Sequence, residues 1–281
     1  MKSMVLGTLA VLGACGPSER TGGQTPDASG GGSGSADAAS QTDQSRVFAH
    51  SGGTLYRIDT QTLAPVMVGT MTGLGTQSLT DLAIDKTDKM IGITLDKLYS
   101  LDATTGAATL IKDLSQSAQG FTSLSFVPSD LSDPNSADIL VSANDQGDVF
   151  QIDPATGNAT KLGSYGTVAL GKVVSSGDLI GVRGLGIYAT VNIGTDPTAQ
   201  DYLARIDPTT WTATPLGTGT GFNDIFGLGF WAGTIYGFAA TGTNTGTIIT
   251  IDPNTGKGTE VLSGAIRWYG AGVSTDAPVL Q

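Results

Sequence analysis

One short pattern recurs five times along the chain and restricts its fold more than any other feature. The segments are LYRIDTQTLAPVMVG around Asp59, LYSLDATTGAATLIK around Asp102, VFQIDPATGNATKLG around Asp153, LARIDPTTWTATPLG around Asp207 and IITIDPNTGKGTEVL around Asp252. Recurrence at intervals of 43 to 54 residues points to an array of equivalent units, none of which buries a core alone. Within LYRID, LYSLD, VFQID, LARID and IITID the side chains alternate with period two, as on a strand, and a second such run follows each turn. The D-P-x-T-G turn between them has a mechanism. Asp accepts local backbone hydrogen bonds, Pro presets its own φ, and Gly supplies the positive φ needed to re-enter antiparallel pairing. The repeated Asp153, Asp207 and Asp252 are therefore structural, because equivalent copies on separate hairpins cannot converge on one substrate.

Two further short strands precede each hairpin. TDLAID and MIGIT come before KLYSLD, FTSLSFV and DILVSA before DVFQID, and IFGLGFW and TIYGFAA before TIITID. The fourth repeat supplies VALGKVV, then LIGVRG or IYATVN, then YLARID and TATPLG. Four short antiparallel strands per repeat make the blade of a β-propeller, so the expected fold is all-β with five four-stranded blades. The repeats begin with VFAH and TLYRID, a second and a third strand with no first before them, and finish with RWYGAGV, which has no partners after it. The carboxy-terminal strand is expected to complete the amino-terminal blade, closing the ring and removing free sheet edges.

Composition agrees with this reading. The 41 glycines among 281 residues fall in turns and inner strands, as at Gly227, Gly229, Gly270 and Gly272, where crowding or positive φ excludes side chains. Helical periodicity is absent after residue 45, which argues against an α/β barrel of similar length. With 14 Lys+Arg against 25 Asp+Glu, the chain offers no basic surface for phosphates, so nucleic acid is excluded as a partner.

The amino terminus carries an address. Lys2 precedes an apolar run from Met4 to Ala14, too short to span a bilayer but suited to the core of an export signal. Leu12-Gly13-Ala14-Cys15 resembles the lipobox of bacterial lipoproteins. That resemblance implies cleavage after Ala14, a lipidated Cys15 (palmitate among its acyl chains) as the first mature residue, and attachment to a bacterial membrane. Gly16-Pro17 lacks the aspartate that often retains lipoproteins on an inner membrane, which implies the outer membrane, facing periplasm or surface, where the host has one. Two or more acyl chains suffice for durable anchoring. Cys15 is also the sole cysteine, so no intramolecular disulfide is possible. From Gly16 to Ser45 the chain is Gly/Ser/Asp-rich and almost without large apolar residues, the composition of a flexible tether. The expected organisation is a signal peptide over 1–14, lipidated Cys15 and tether over 15–45, and a propeller over 46–281.

The repeats themselves resemble those of YVTN and quinoprotein-like propellers, which share the form L-Y-x-I-D-x-x-T-G. In the quinoprotein version a tryptophan follows T-G by four residues. Here Leu110, Lys161 and Glu260 hold those places and Trp211 sits directly after its own T-T, so no pyrroloquinoline quinone or other cofactor is expected.

A propeller commonly takes ligands at one mouth of its channel, on loops leading into the inner strands. Aligning the repeats puts Asp81, Ser123, Ala169, Asp224 and Arg267 at comparable places there, with Asp81, Asp224 and Arg267 facing a shared axial space or forming a ring-closing rim. His50, the sole histidine, is expected to be packed rather than catalytic. Calcium sites at Asp85/Asp88 or Asn144/Asp145/Asp148 lack the D-x-D-x-D-G spacing, and both segments suit hairpin turns. No catalytic residues or metal ligands are assigned. The favoured function is a monomeric, lipid-anchored, non-enzymatic binding or scaffold module for an envelope protein or glycan. The alternative is an exported hydrolase or lactonase-like enzyme using an Asp81/Asp224 pair at the mouth.

Overall fold

The computed structural model describes residues 46–116, 118–194 and 200–275. The expected export signal, lipidated Cys15 and tether fall outside the described residues. Among those residues there is no helix, and the strands form five antiparallel sheets arranged as the five blades of a propeller.

Blade 1 contains β1 (Val47–His50), β2 (Thr54–Ile58) and β3 (Pro65–Thr70). Blade 2 is β4 (Asp81–Ile84), β5 (Met90–Ile93), β6 (Lys97–Leu101) and β7 (Ala108–Asp113). Blade 3 is β8 (Ser125–Pro128), β9 (Asp138–Ala143), β10 (Asp148–Ile152) and β11 (Ala159–Ser164). Blade 4 has a two-residue β12 (Thr167–Val168), then β13 (Gly171–Val182), β14 (Gly186–Ile193), β15 (Tyr202–Ile206) and β16 (Ala213–Pro215). Blade 5 is β17 (Ile225–Trp231), β18 (Thr234–Ala240), β19 (Gly246–Ile251) and β20 (Gly258–Gly264). The last strand, β21 (Gly270–Val273), pairs with β1 from Val47↔Val273 to His50↔Gly270 and becomes the inner strand of blade 1. The ring is thus closed by the carboxy-terminal strand.

The alternation seen in the sequence places apolar side chains on both faces of each inner sheet. They meet in five buried clusters, one between each pair of neighbouring blades. The blade 5/blade 1 cluster is aromatic: Trp268 meets Tyr56 and Phe238 edge-on with centroids 5.6 Å apart. Outer strands are the liability of a propeller, because their free edge invites pairing with another chain. Here β3, β7, β11 and β20 each carry a register shift against their neighbour, and β16 is only three residues long and ends at Pro215.

The five repeated aspartates all cap the turns between third and fourth strands, on the face called the bottom below. Asp153 Oδ1 accepts from the N–H of Ala155 and Thr156, and Asp59, Asp102 and Asp207 make the equivalent pair of bonds. The fourth residue after each aspartate returns its N–H to the aspartate carbonyl with positive φ. Gly106, Gly157 and Gly256 take that position in three blades, whereas Leu63 (φ 60) and Trp211 (φ 63) are held there in the other two. Trp211 is therefore the residue in the glycine place of its turn.

The fourth repeat departs from the expected assignment. VALGKVV is not the inner strand. Thr167–Val168 and Gly171–Lys172 fold onto each other as an added hairpin, with Ala169 and Leu170 in its turn, and the inner strand is the second half of β13. The register of β13 on β14 shifts between Ser175 and Leu179, which lets one strand serve both the added hairpin and the blade.

Candidate binding site at the axial mouth

Strand pairing identifies which residues are equivalent around the axis. Leu82 faces Gly92, Leu179 faces Ala189, Leu228 faces Gly237 and Ala271 faces Ala49, each on the second strand of its own blade. In blade 3 the same level is marked by the Thr122 N–H donating to Ala143 O, as the Thr80 N–H does to Ile93 O. The residues one step before these define an axial layer: Gly270, Asp81, Ser123, Asp178 and Gly227, in ring order.

Asp81 and Ser123 thus occupy the axial layer, as aligned. Asp224 and Arg267 lie three residues upstream of the equivalent positions, which are glycines. Asp224 has left-handed backbone (φ 55), and its carbonyl accepts from Ala240 N–H. Arg267 donates to Gly242 O and to the Tyr269 hydroxyl, and its guanidinium lies 5.4 Å from the Tyr269 ring centroid. No ion pair joins Arg267 to Asp81 or Asp224 among the described residues. Ala169 is exposed in the added hairpin, and Asp178 holds the place assigned to it.

Asp81 and Asp178 are 0% and 1% exposed and make the same bonds. Asp81 accepts from the N–H of Leu82 (2.8 Å) and of Leu124 in the next blade (2.7 Å). Asp178 accepts from Leu179 N–H (2.6 Å) and from Leu228 N–H in the next blade (2.8 Å). The two carboxyls are close enough for each to influence the other's ionisation. Burial, then the charge of Asp178, pushes Asp81 well above the usual carboxylate range. Burial pushes Asp178 up to about 8, against the pull of the N–H groups it accepts from. Two buried carboxylates this close do not both ionise, so the pair holds at least one proton at neutral pH. Tyr165, fully buried and near Asp178, is shifted upward and stays neutral.

Glycine makes room for this pair. A Cβ on Gly270 would lie 2.6 Å from both Asp81 Oδ1 and His50 Nε2, and one on Gly227 would lie 2.6 Å from Ala271 N. His50 is buried, with Nδ1 2.9 Å from Ser51 O, and desolvation lowers its pKa to about 4. It is a packed neutral imidazole, as its surroundings in the sequence suggested. Asp201, also buried, accepts from Ile225 N–H and Asn192 Nδ2, and burial raises it to about 7.

Above the axial layer opens a cavity of about 370 Å³, walled by Tyr269, Thr80, Thr122, Ser176 and Phe226, at least one from each blade, with Leu79, Leu95, Thr94, Gln77 and Ser78 beside them. Phe226 and Tyr269 stack nearly parallel, with centroids 6.1 Å apart. The opposite mouth is a larger cavity of about 700 Å³, beside the Arg183–Asp138 ion pair and the last described residues, Ser274 and Thr275. The segments weighed for calcium are hairpin turns. Asp85 Oδ1 accepts from the N–H of Thr87 and Lys89, Asp88 pairs with Arg46, and Asn144 Oδ1 accepts from the N–H of Gln146 and Asp148.

Alignment of the repeats missed Asp178, Phe226 and Tyr269. The available signal was G-D-L-I-G at 177–181, which matches T-D-L-A-I at 80–84.

No protein-family model matches the chain, and no curated protein is significantly similar to it in sequence. Among solved structures it is similar to a putative TolB from Agrobacterium tumefaciens, at 16% identity over 79% of each chain and a TM-score of 0.44. It is also similar to a protein of unknown function from Bacteroides caccae, at 8% identity over 80% of this chain and 97% of that one, with a TM-score of 0.47. A third is the Pan2 WD40 domain of Neurospora crassa, at 14% identity over 80% of this chain and 64% of that one, with a TM-score of 0.45. At these identities the likeness concerns the fold alone.

Proposed function

We propose that the chain is a lipid-anchored, non-catalytic binding module of a bacterial cell envelope, which takes its partner at the top mouth of the propeller. The observation that carries this reading is the mouth itself, built from all five blades over a floor closed by Asp81, Ser123 and Asp178. The chain enters the ring at Arg46, bonded to Asp88 and to the carbonyl of Lys86 on the bottom face. The hydrolase alternative needs a reachable carboxylate pair, whereas Asp81 is sealed and both its oxygens are taken by backbone N–H groups.

The test is expression of the full chain and of Cys15→Ala in a bacterium fed an alkyne-bearing palmitate, followed by fractionation. Wild type is expected to take the label and stay with membranes, and the variant to lose both. Membrane retention of unlabelled Cys15→Ala would overturn the anchor. Turnover of ester, lactone or glycoside substrates that Asp81→Asn abolishes without unfolding would overturn the non-catalytic reading.

A further inference from the structure

Resting on the reading that the top mouth binds, we propose that its ligand is a small, uncharged, largely hydrocarbon molecule carrying a ring, held between Leu95 and the Phe226–Tyr269 pair. Most polar groups of the wall are already spent on the protein, Ser176 Oγ, buried without a hydrogen-bond partner, being the exception. Thr80 Oγ1 donates to Ile93 O, Thr94 Oγ1 to Gln77 Oε1 and Thr122 Oγ1 to Ala143 O, while Gln77 Nε2 donates to Asp96. The backbone N–H groups of Thr80, Thr122 and Tyr269 donate to Ile93, Ala143 and His50 carbonyls. A sugar entering this cavity would strip water from several hydroxyls and find few partners, each unmet group weakening binding.

The wall carries no charged side chain, and Arg267, which touches Tyr269, is held to Gly242 O. The wall therefore supplies no counter-charge for an ionic ligand. What the wall does offer is apolar: Leu95, 54% exposed on the rim, Leu79 buried behind it, and the half-buried rings of Phe226 and Tyr269. Asp81, Ser123 and Asp178 lie buried at the adjoining axial layer, and about 370 Å³ lies in the range of small-molecule sites.

The test titrates the purified full chain with N-phenyl-1-naphthylamine, a neutral two-ring fluorescent probe, in parallel with glucose and N-acetylglucosamine. Expected is saturable binding of one probe per chain, weakened at least tenfold by Phe226→Ala and by Leu95→Asp with the melting temperature unchanged. Leu185→Asp at the opposite mouth is expected to leave it intact. Probe binding indifferent to both mouth variants overturns the proposal. Sugar binding lost in Phe226→Ala overturns the ligand class and leaves the mouth reading standing, whereas binding of neither probe nor sugar removes both.

Discussion

Replacing Asp178 by Asn is expected to flatten the alkaline side of the stability profile, and the size of the effect follows from burial. A carboxyl held neutral in the folded protein keeps a proton that the unfolded chain, with its ordinary value of 3.8, has lost. Rising pH therefore favours unfolding until the folded group ionises, near 8 for Asp178. Each pH unit in that window costs about 1.4 kcal/mol per retained proton. His50 works in the opposite sense. Its folded value of about 4 lies below its ordinary 6.5, so its contribution grows as pH rises to 6.5 and is constant above. The clean window is thus pH 6.5 to 8, across which the variant should gain about 2 kcal/mol on wild type and then level off. The other groups facing the pair preserve the sign. Tyr165 stays neutral, Asp201 titrates alike in both proteins, and Asp81 loses its like-charged neighbour, which flattens the variant further. Urea unfolding followed by fluorescence of the buried Trp211, Trp231 and Trp268 measures the difference. Curves that stay parallel from pH 6.5 to 8 would refute the retained proton. Asp178→Ala separates geometry from titration: it orphans the N–H groups of Leu179 and Leu228, at about 1–3 kcal/mol each, at every pH.

Gly270→Ala is expected to destabilise by about 1–3 kcal/mol, read as a lowered melting temperature, because its methyl meets Asp81 and His50; Gly53→Ala, with nothing within 4 Å, should be close to neutral, and equal effects at both sites would contradict the crowding argument. Stopping the chain before Gly270 removes β21, leaves blade 1 with three strands, and should abolish a single cooperative urea transition. Asp59, Asp102, Asp153, Asp207 and Asp252 are all shifted below the usual carboxylate value by the bonds they accept, so they support the fold above that value and lose this as pH falls through their folded values. Changing all five to Asn, which keeps the turn acceptor without its charge, should lower stability at neutral pH and flatten its fall through the acid range; an unchanged acid slope would place acid sensitivity elsewhere.

Much of this architecture was legible because the repeat unit contains its own turn chemistry. Asp at one end and Gly four residues later specify the hairpin locally, so blade count, strand order and closure by the last strand followed without tertiary information. The fourth repeat was harder. Val168 to Val174 alternates well enough to pass for an inner strand, and only the crossing from blade 3 to blade 4 decides that β12 and the start of β13 form an added hairpin. That misassignment hid Asp178. The site failed elsewhere for a related reason: Asp224-Ile225 copies Asp81-Leu82 in sequence, yet its left-handed backbone shifts the inner strand by three residues and puts Gly227 on the axis. Register at the axis is set by side-chain packing across blades, which a single repeat does not encode.

The axial layer also explains why near-equivalent blades carry such unequal residues there. A ring of five inner strands converges on a space where glycine is already tight, since Cβ atoms on Gly227 and Gly270 would strike neighbouring atoms at 2.6 Å. Five carboxyls or five leucines could not fit, and five glycines would leave a wet hole between the mouths. Two acids, one serine and two glycines satisfy both limits. The acids fill the centre, each ties its inner strand to the next through backbone N–H groups, and Gly270 in blade 1 leaves room for Asp81. Because the acids belong to blades 2 and 4, their shared proton joins blades that are not neighbours in the ring. The plug is therefore a polar one that depends on staying dry, and a ligand that displaces water from the cavity above it would disfavour the carboxylate form. On this view the mouth and the buried pair are one device: whatever fills the cavity between Leu95 and Phe226 should also raise the pH at which the axial pair ionises.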